Sequence, residues 1–191
     1  MREISMGCGR LQLMLGDITK LGQHVGALVN AANETLRPGG GVCGAIHRAG
    51  GPEVAIECRW NGSINVGEAV ATTAGHLDAD AIIHAVGPVW QGGNRGEDRL
   101  LSAAYRSSLA LAAKRGLTSV AFPSISTGIF GYPIDRAATV AVGTIAAFLK
   151  QPSAVTDVIL VLYTAEDYRL YDAALERWER VQATRAVTST V

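Results

Sequence analysis

Between Leu28 and His47 the chain collects side chains and turns able to hold a phosphate-bearing molecule. The run Leu28-Val29-Asn30-Ala31-Ala32-Asn33 reads as a short apolar strand that ends on two asparagines. Gly39-Gly40-Gly41-Val42-Cys43-Gly44-Ala45-Ile46-His47 follows, a triple glycine opening into the first turn of a helix that carries a thiol and an imidazole. Glycine has no Cβ, so its backbone approaches a ligand closely. A helix N-terminus directs free N–H groups and a positive dipole end at whatever lies before it. A second stretch, Ser124-Ile125-Ser126-Thr127-Gly128-Ile129-Phe130-Gly131-Tyr132-Pro133, repeats the theme.

The elements that must position these loops are strands alternating with helices. Strands are predicted over 11–15, 27–32, 69–73, 81–86, 119–123 and 157–163. Several are apolar throughout, which means burial on both faces of a sheet. Helices are predicted over 98–115, 136–150 and 166–181. The first has Leu100, Ala104, Ser107 and Leu111 on one face, and the second lies between Pro133 and Pro152. The alternation implies an α/β/α sandwich of three layers around a mixed, largely parallel sheet. Ligands of such sheets sit beyond the carboxyl ends of the strands. Both glycine-rich loops follow strands, so both belong to one pocket at that edge. One domain is expected over 1–182, with a flexible tail over 183–191.

Composition narrows the partners. The chain has 191 residues, 48% hydrophobic and 18% charged, enough for one sizeable core. Seventeen basic and seventeen acidic residues cancel, without a cationic cluster, so no electrostatic footprint for nucleic acid or a membrane surface is present. Cys8, Cys43 and Cys58 are odd in number and widely spaced, as expected of reduced thiols in a cytoplasmic protein. There is no Cys-x-x-Cys pair of the kind that marks a structural zinc site. No signal peptide and no membrane-spanning apolar run is expected.

In this order the motifs resemble the macrodomain family, and within it the MacroD-type subclass. The matching segments are Gly16-Asp17-Ile18-Thr19-Lys20, Val29-Asn30-Ala31-Ala32-Asn33, Gly39-Gly40-Gly41-Val42, Ala45-Ile46-His47-Arg48-Ala49-Gly50-Gly51-Pro52, His84-Ala85-Val86-Gly87-Pro88 and Ser126-Thr127-Gly128-Ile129-Phe130-Gly131-Tyr132-Pro133. The resemblance implies binding of ADP-ribose. It also implies hydrolysis of O-acetyl-ADP-ribose or of ADP-ribose esters on protein acidic side chains, with no cofactor and no metal. It places Asp17 on the adenine amine and Tyr163 on the adenine face. Ile18, Asn30, Gly40, Gly41 and Val42 line the ligand, and Ser126, Thr127, Gly128, Ile129 and Phe130 wrap the diphosphate and distal ribose. Catalysis would involve Asn33, Cys43, His47, Gly128 and Phe130. The chain departs from the subclass at Cys43, where an aspartate is expected. A thiol is a weak acceptor and cannot replace a carboxylate. The connection from Lys20 to Ala27 also reads as longer than the family's, a surface insertion.

Other readings of the same residues stay open at this stage. Asp17 suits a helix N-cap as well as adenine. Asn30 and Asn33 suit loop capping as well as ribose hydroxyls. Cys43 and His47, four apart on a helix, suit a thiolate nucleophile and its base. Phe130 and Tyr163 suit core packing, and His84, inside an apolar strand, suits a structural role. Gly39, Gly41 and Gly44 match G-x-G-x-x-G, but the strand ends too early and no acidic residue follows at the dinucleotide spacing. A non-catalytic ADP-ribose reader is the alternative function.

Overall fold

A computed structural model describes residues 1–188. Seven strands form one sheet: β1 (Arg2–Met6), β2 (Gly9–Leu15), β3 (Val25–Ala32), β4 (Ala69–Thr72), β5 (Ala79–Val86), β6 (Ser119–Phe122) and β7 (Asp157–Leu162). Their order across the sheet is β1-β2-β7-β6-β3-β5-β4. The pairs β2–β7, β7–β6, β6–β3 and β3–β5 are parallel, and the two edge pairs are antiparallel. The carboxyl ends of β2, β3, β5, β6 and β7 therefore share one edge.

The strands divide their side chains between two cores. Leu11, Leu13, Val29, Ile83, Val120, Phe122, Val158 and Leu160 face α3 (Glu97–Lys114), α4 (Ile134–Leu149) and α5 (Ala165–Thr188). Leu28, Ile82, Val86, Ala121, Ile159 and Val161 face α1 (Gly41–Gly50) and α2 (Pro52–Asn61). His84 shares the period of Ile82 and Val86 in β5, which turns it toward α1 and α2. Glycine ends α1: Gly51, at φ +90°, returns its N–H to the His47 carbonyl at 3.2 Å, and Pro52 then opens α2.

Several expectations change. Strand β1 and helix α2 were not read from the sequence. In β1 only Ile4 and Met6 turn inward, and Arg2 pairs with Asp172, Glu176 and Glu179 of α5. In α2 only Val54 and Cys58 are buried, too few apolar positions to signal a helix. The buried face of α3 is Leu101, Ala104, Tyr105, Ser108, Leu109 and Ala112, not the face through Leu100, Ser107 and Leu111. Tyr105 and Phe122 stack at 5.1 Å and set that rotation. The connection after Lys20 reaches only to His24, because β3 starts at Val25, two residues before the expected strand. The few residues between are fixed by His24, which meets Asp78 at 2.8 Å and Asp80 at 3.2 Å. Helix α5 continues to Thr188, so the tail expected from 183 is helical as far as it is described. Residues 189–191 of that tail lie outside the described residues.

Candidate functional site

The strand ends build a cleft in two connected compartments. One is lined by Ala31, Asn33, Gly39–Cys43, Gly87, Ser124–Ser126 and Gly128–Phe130. The other is lined by Gly16, Asp17, Ile18, Ala45, Arg48, Thr127, Val161, Tyr163 and Asp167. Gly41, Val42, Ser124 and Gly128 line both, so the two loops form the waist of a single channel.

The first wall is the triple glycine and the start of α1. A Cβ on Gly44 would stand 2.4 Å from the Gly39 carbonyl oxygen, so only glycine lets the loop fold back on the helix. The preceding loop is held by Asn33. Its Oδ1 accepts from Thr35 Oγ1 at 2.8 Å and from the Arg37 N–H at 3.2 Å, and its Nδ2 donates to the Arg37 carbonyl at 2.7 Å. These bonds enclose Leu36, buried at φ +55°, a conformation uncommon outside glycine. Asn33 thus lines the cleft while its amide serves the loop.

The second wall is 124–131. Tyr132 N–H bonds the Ser126 carbonyl at 3.0 Å, Gly131 N–H the Gly128 carbonyl at 2.9 Å, and Trp90 N–H the Phe130 carbonyl at 2.9 Å. Ser126 is held at φ +68°, and its buried Oγ has no partner. A Cβ on Gly87 would sit 2.1 Å from that Oγ, so glycine at 87 is what admits the turn. Behind the loop, Arg136 grips both oxygens of Asp98 at 2.8 Å, Tyr132 donates to the same carboxylate, and Arg136 covers the Trp90 ring at 5.1 Å. The Arg136 guanidinium holds the Asp98 carboxyl below its ordinary range. The walls meet where Ile129 of the second comes within 2.9 Å of the Cβ position of Gly40.

At the far compartment Asp17 Oδ1 caps the short turn Ile18–Lys20, accepting from the Thr19 N–H at 2.9 Å and its hydroxyl at 2.8 Å. These bonds, the backbone one first, pull the carboxyl below its ordinary value. Among the described residues no hydrogen bond reaches Oδ2, so a cap and a ligand contact are compatible on one side chain. Tyr163 is 78% exposed, which excludes core packing and leaves its ring at the cleft. Phe130 likewise stays outside both cores and lines the first compartment.

Two expected site residues do not line the cleft. Asn30 is fully buried behind it, with Nδ2 3.0 Å from His84 Nδ1 and 3.6 Å from Cys43 Sγ. Position 30 points inward because it pairs with His84 on the buried β5. His47 is buried, with neither ring nitrogen hydrogen-bonded, and burial pushes its pKa down. Cys43 lines the cleft, but its thiol faces the Arg37 carbonyl at 3.8 Å and Asn30, so no Cys43–His47 pair is formed. The sequence reading also passed over Gly87, Arg48 and Asp167 as lining residues. Arg48 was legible in principle: it lies seven residues after Gly41, on the same face of α1.

The macro domain family model matches residues 29–141. A macro domain-containing protein of Cupriavidus necator is 50% identical over 165 residues, covering 84% of this chain and 94% of the relative. An Escherichia coli protein named O-acetyl-ADP-ribose deacetylase is 48% identical over 170 residues, covering 87% and 95%. Among solved structures, the Oceanobacillus iheyensis macrodomain with ADP superposes with a TM-score of 0.88 at 37% identity, covering 94% of this chain and 96% of that one. The chain belongs to the macro domain family.

Proposed function

We propose that this protein binds ADP-ribose in the two-compartment cleft and hydrolyses O-acetyl-ADP-ribose to ADP-ribose and acetate. The observation that supports it best is the continuous channel from Asp17 and Tyr163 to Cys43 and Phe130, waisted by two glycine-bearing loops, in a chain 48% identical to an enzyme of that name. Adenine fits the Asp17 end, where the free Oδ2 can accept from its exocyclic amine and Tyr163 can cover the ring. The diphosphate fits the waist, between the N-terminus of α1 and the backbone of 126–130. Arg48, exposed and without an ion pair among the described residues, adds a cation beside it. The distal ribose and its ester lie against Phe130, Gly128, Asn33 and Cys43.

Water attacks the ester carbonyl carbon, the acyl C–O bond breaks, and a proton passes to the ribose hydroxyl that leaves. With no carboxylate at position 43, a phosphate oxygen of the ligand is the base we assign to this water. The same geometry admits ADP-ribose esters on protein Asp and Glu side chains, the reaction of the MacroD-type subclass, and we place the protein in the cytoplasm. Calorimetry with ADP-ribose and an assay of acetate release test the reading together. Micromolar affinity, about −8 kcal/mol, with slow acetate release is expected. No heat from ADP-ribose on folded protein overturns it, and binding without release makes the protein a reader. Asp17→Ala should weaken ADP-ribose by about 1–3 kcal/mol, the scale of a charge-assisted hydrogen bond. It should leave ribose 5-phosphate, which lacks adenine, unchanged.

A further inference from the structure

Among the described residues Glu97 is the one buried carboxylate, 1% exposed at the first position of α3, and no step of the hydrolysis uses it. A carboxylate taken out of water must be bonded, and its partners say what it holds. Oε1 accepts from the Gln91 N–H at 3.1 Å and from the Gly93 N–H at 3.0 Å, and Oε2 accepts from the Arg95 N–H at 2.7 Å. All three donors belong to the loop 87–96 that joins β5 to α3. Taking the hydrolysis proposed above as given, we infer that Glu97 is a positioning residue for it: its carboxylate sets this loop and, through Trp90, the Phe130 that lies against the distal ribose.

The link is a short one. The bond from the Gln91 N–H to Glu97 fixes the peptide that leaves Trp90. The N–H of Trp90 itself donates to the Phe130 carbonyl at 2.9 Å. Trp90 is thus held on both sides, and its ring packs on Tyr132 with centroids 4.7 Å apart. Phe130 and Tyr132 belong to the second wall, and Phe130 lines the first compartment.

The loop has little of its own to hold it. Among the described residues no backbone hydrogen bond joins one member of 87–96 to another. Gly93, at φ +85°, lies so close under Arg136 and Trp90 that a Cβ would stand 2.7 Å from the guanidinium and 2.8 Å from the indole. Glu97 therefore presses the loop onto the same Trp90–Arg136 pair that backs the second wall.

The charge is suited to this work. Burial acts to raise the Glu97 pKa, but backbone N–H groups, its own and those of Gly93, Arg95 and Gln91, outweigh burial and hold it below its ordinary value. The group is an anion at neutral pH, so its bonds to the loop are charge-assisted. It also stands in the first turn of α3, where the helix dipole favours a negative charge.

The test reads acetate release, and affinity for ADP-ribose and for AMP, which has no distal ribose. Glu97→Ala removes all three bonds. We expect kcat to fall about tenfold or more, within the roughly 10²-fold that a misplacement of about 1 Å can cost. ADP-ribose affinity should fall several-fold and AMP affinity should not change. Glu97→Gln loses at least one bond, because an amide has a single acceptor oxygen and its NH₂ opposes a donor. It should fall between native and Glu97→Ala, and it carries the same readouts if Glu97→Ala does not fold. In a Phe130→Ala background either substitution should cost little more, since the two residues act in series. The role is overturned if folded variants keep native kcat and ADP-ribose affinity, if AMP weakens as much as ADP-ribose, or if the costs at 97 and 130 add in full. A native chain that binds ADP-ribose but releases no acetate refutes the hydrolysis instead, and the ADP-ribose and AMP affinities of the variants then decide whether Glu97 positions the second wall.

Discussion

The two walls of the cleft do the same job on opposite foundations. Behind the second wall stands a paired, half-exposed network: Asp98 bonded to Arg136 and Tyr132, with Trp90 between the guanidinium and the Tyr132 ring. Behind the first stands a buried set of neutral groups, Asn30, His47, Cys58 and His84, with Asn30 Oδ1 and both His47 nitrogens unbonded. Backbone geometry at each wall is dictated by a glycine, but the obstacle differs. At Gly87 a methyl meets the Ser126 hydroxyl and the Ile125 side chain, and at Gly44 it meets the backbone of Gly39. A side chain can be removed or turned, whereas a carbonyl moves only with its loop. The first wall is therefore the more brittle.

Paired substitutions give the largest expected effect. Gly44→Ala must push the triple glycine off α1 and should weaken ADP-ribose binding by more than about 2 kcal/mol, within the range for overpacking. Gly87→Ala should cost about 1–3 kcal/mol of stability by the same physics. Adding Ser126→Gly should recover part of that loss, because it removes the clashing oxygen and suits φ +68°. Calorimetry and denaturant unfolding read both. Equal recovery of Gly44→Ala by any side-chain truncation nearby would erase the contrast between the walls.

How much of this was legible follows from where each signal lay. The parallel strands announced themselves as apolar runs, and Tyr163 and Phe130 stood beside turn residues, so the edge and its loops were readable. Edge strand β1 was not, because its alternation rests on Ile4 and Met6 alone, and the contacts that hold it come from α5 more than 160 residues away. The misplaced residues, Asn30 and His47, share one cause. Residue type suited a ligand at both, but facing is set by tertiary pairing: Asn30 lies beside His84 in the register of β3 with β5. His47 turns toward α2 because α1 packs there. A side chain's chemistry is written in the sequence, and its direction is settled by the partner it packs against.

Acid separates the foundations further. His84 is held neutral down to about pH 3, against an ordinary value of 6.5. Between those values the unfolded chain binds a proton that the native state refuses, so stability present above 6.5 falls as pH drops, by up to about 1.4 kcal/mol per pH unit. His47 is shifted the same way. Asp98 is held below its ordinary 3.8, so its contribution is intact above that value and is lost only as pH falls through the lower native one. Unfolding followed from pH 7 to 3 should thus decline first on account of the first wall. Asp98→Asn should lower stability by a constant amount above about pH 4 and remove the Asp98 share of the decline below it. His24, raised by Asp78, works in the opposite sense, so the measurement belongs in a His24→Gln background. Flat stability between pH 6.5 and 4.5 would remove the proposed asymmetry.

The smallest effect concerns the one thiol that faces the cleft. Cys43 Sγ lies 3.8 Å from the Arg37 carbonyl and 3.6 Å from Asn30 Nδ2, and among the described residues it has no hydrogen bond to an imidazole. It packs the first wall, and the proposed hydrolysis assigns it no step. Cys43→Ser and Cys43→Ala should change acetate release by less than about twofold, since neither removes a catalytic group. Cys43→Asp should raise it several-fold. Asn30 Nδ2 is available to bond one carboxylate oxygen, the Arg37 carbonyl repels the other, and the free oxygen can then orient water at the ester. Rates measured with saturating O-acetyl-ADP-ribose separate these outcomes. If Cys43→Ala abolishes turnover, and alkylation of the native thiol does the same and is blocked by ADP-ribose, the thiolate is the nucleophile. The first wall would then be the chemical one, and the second only a clamp.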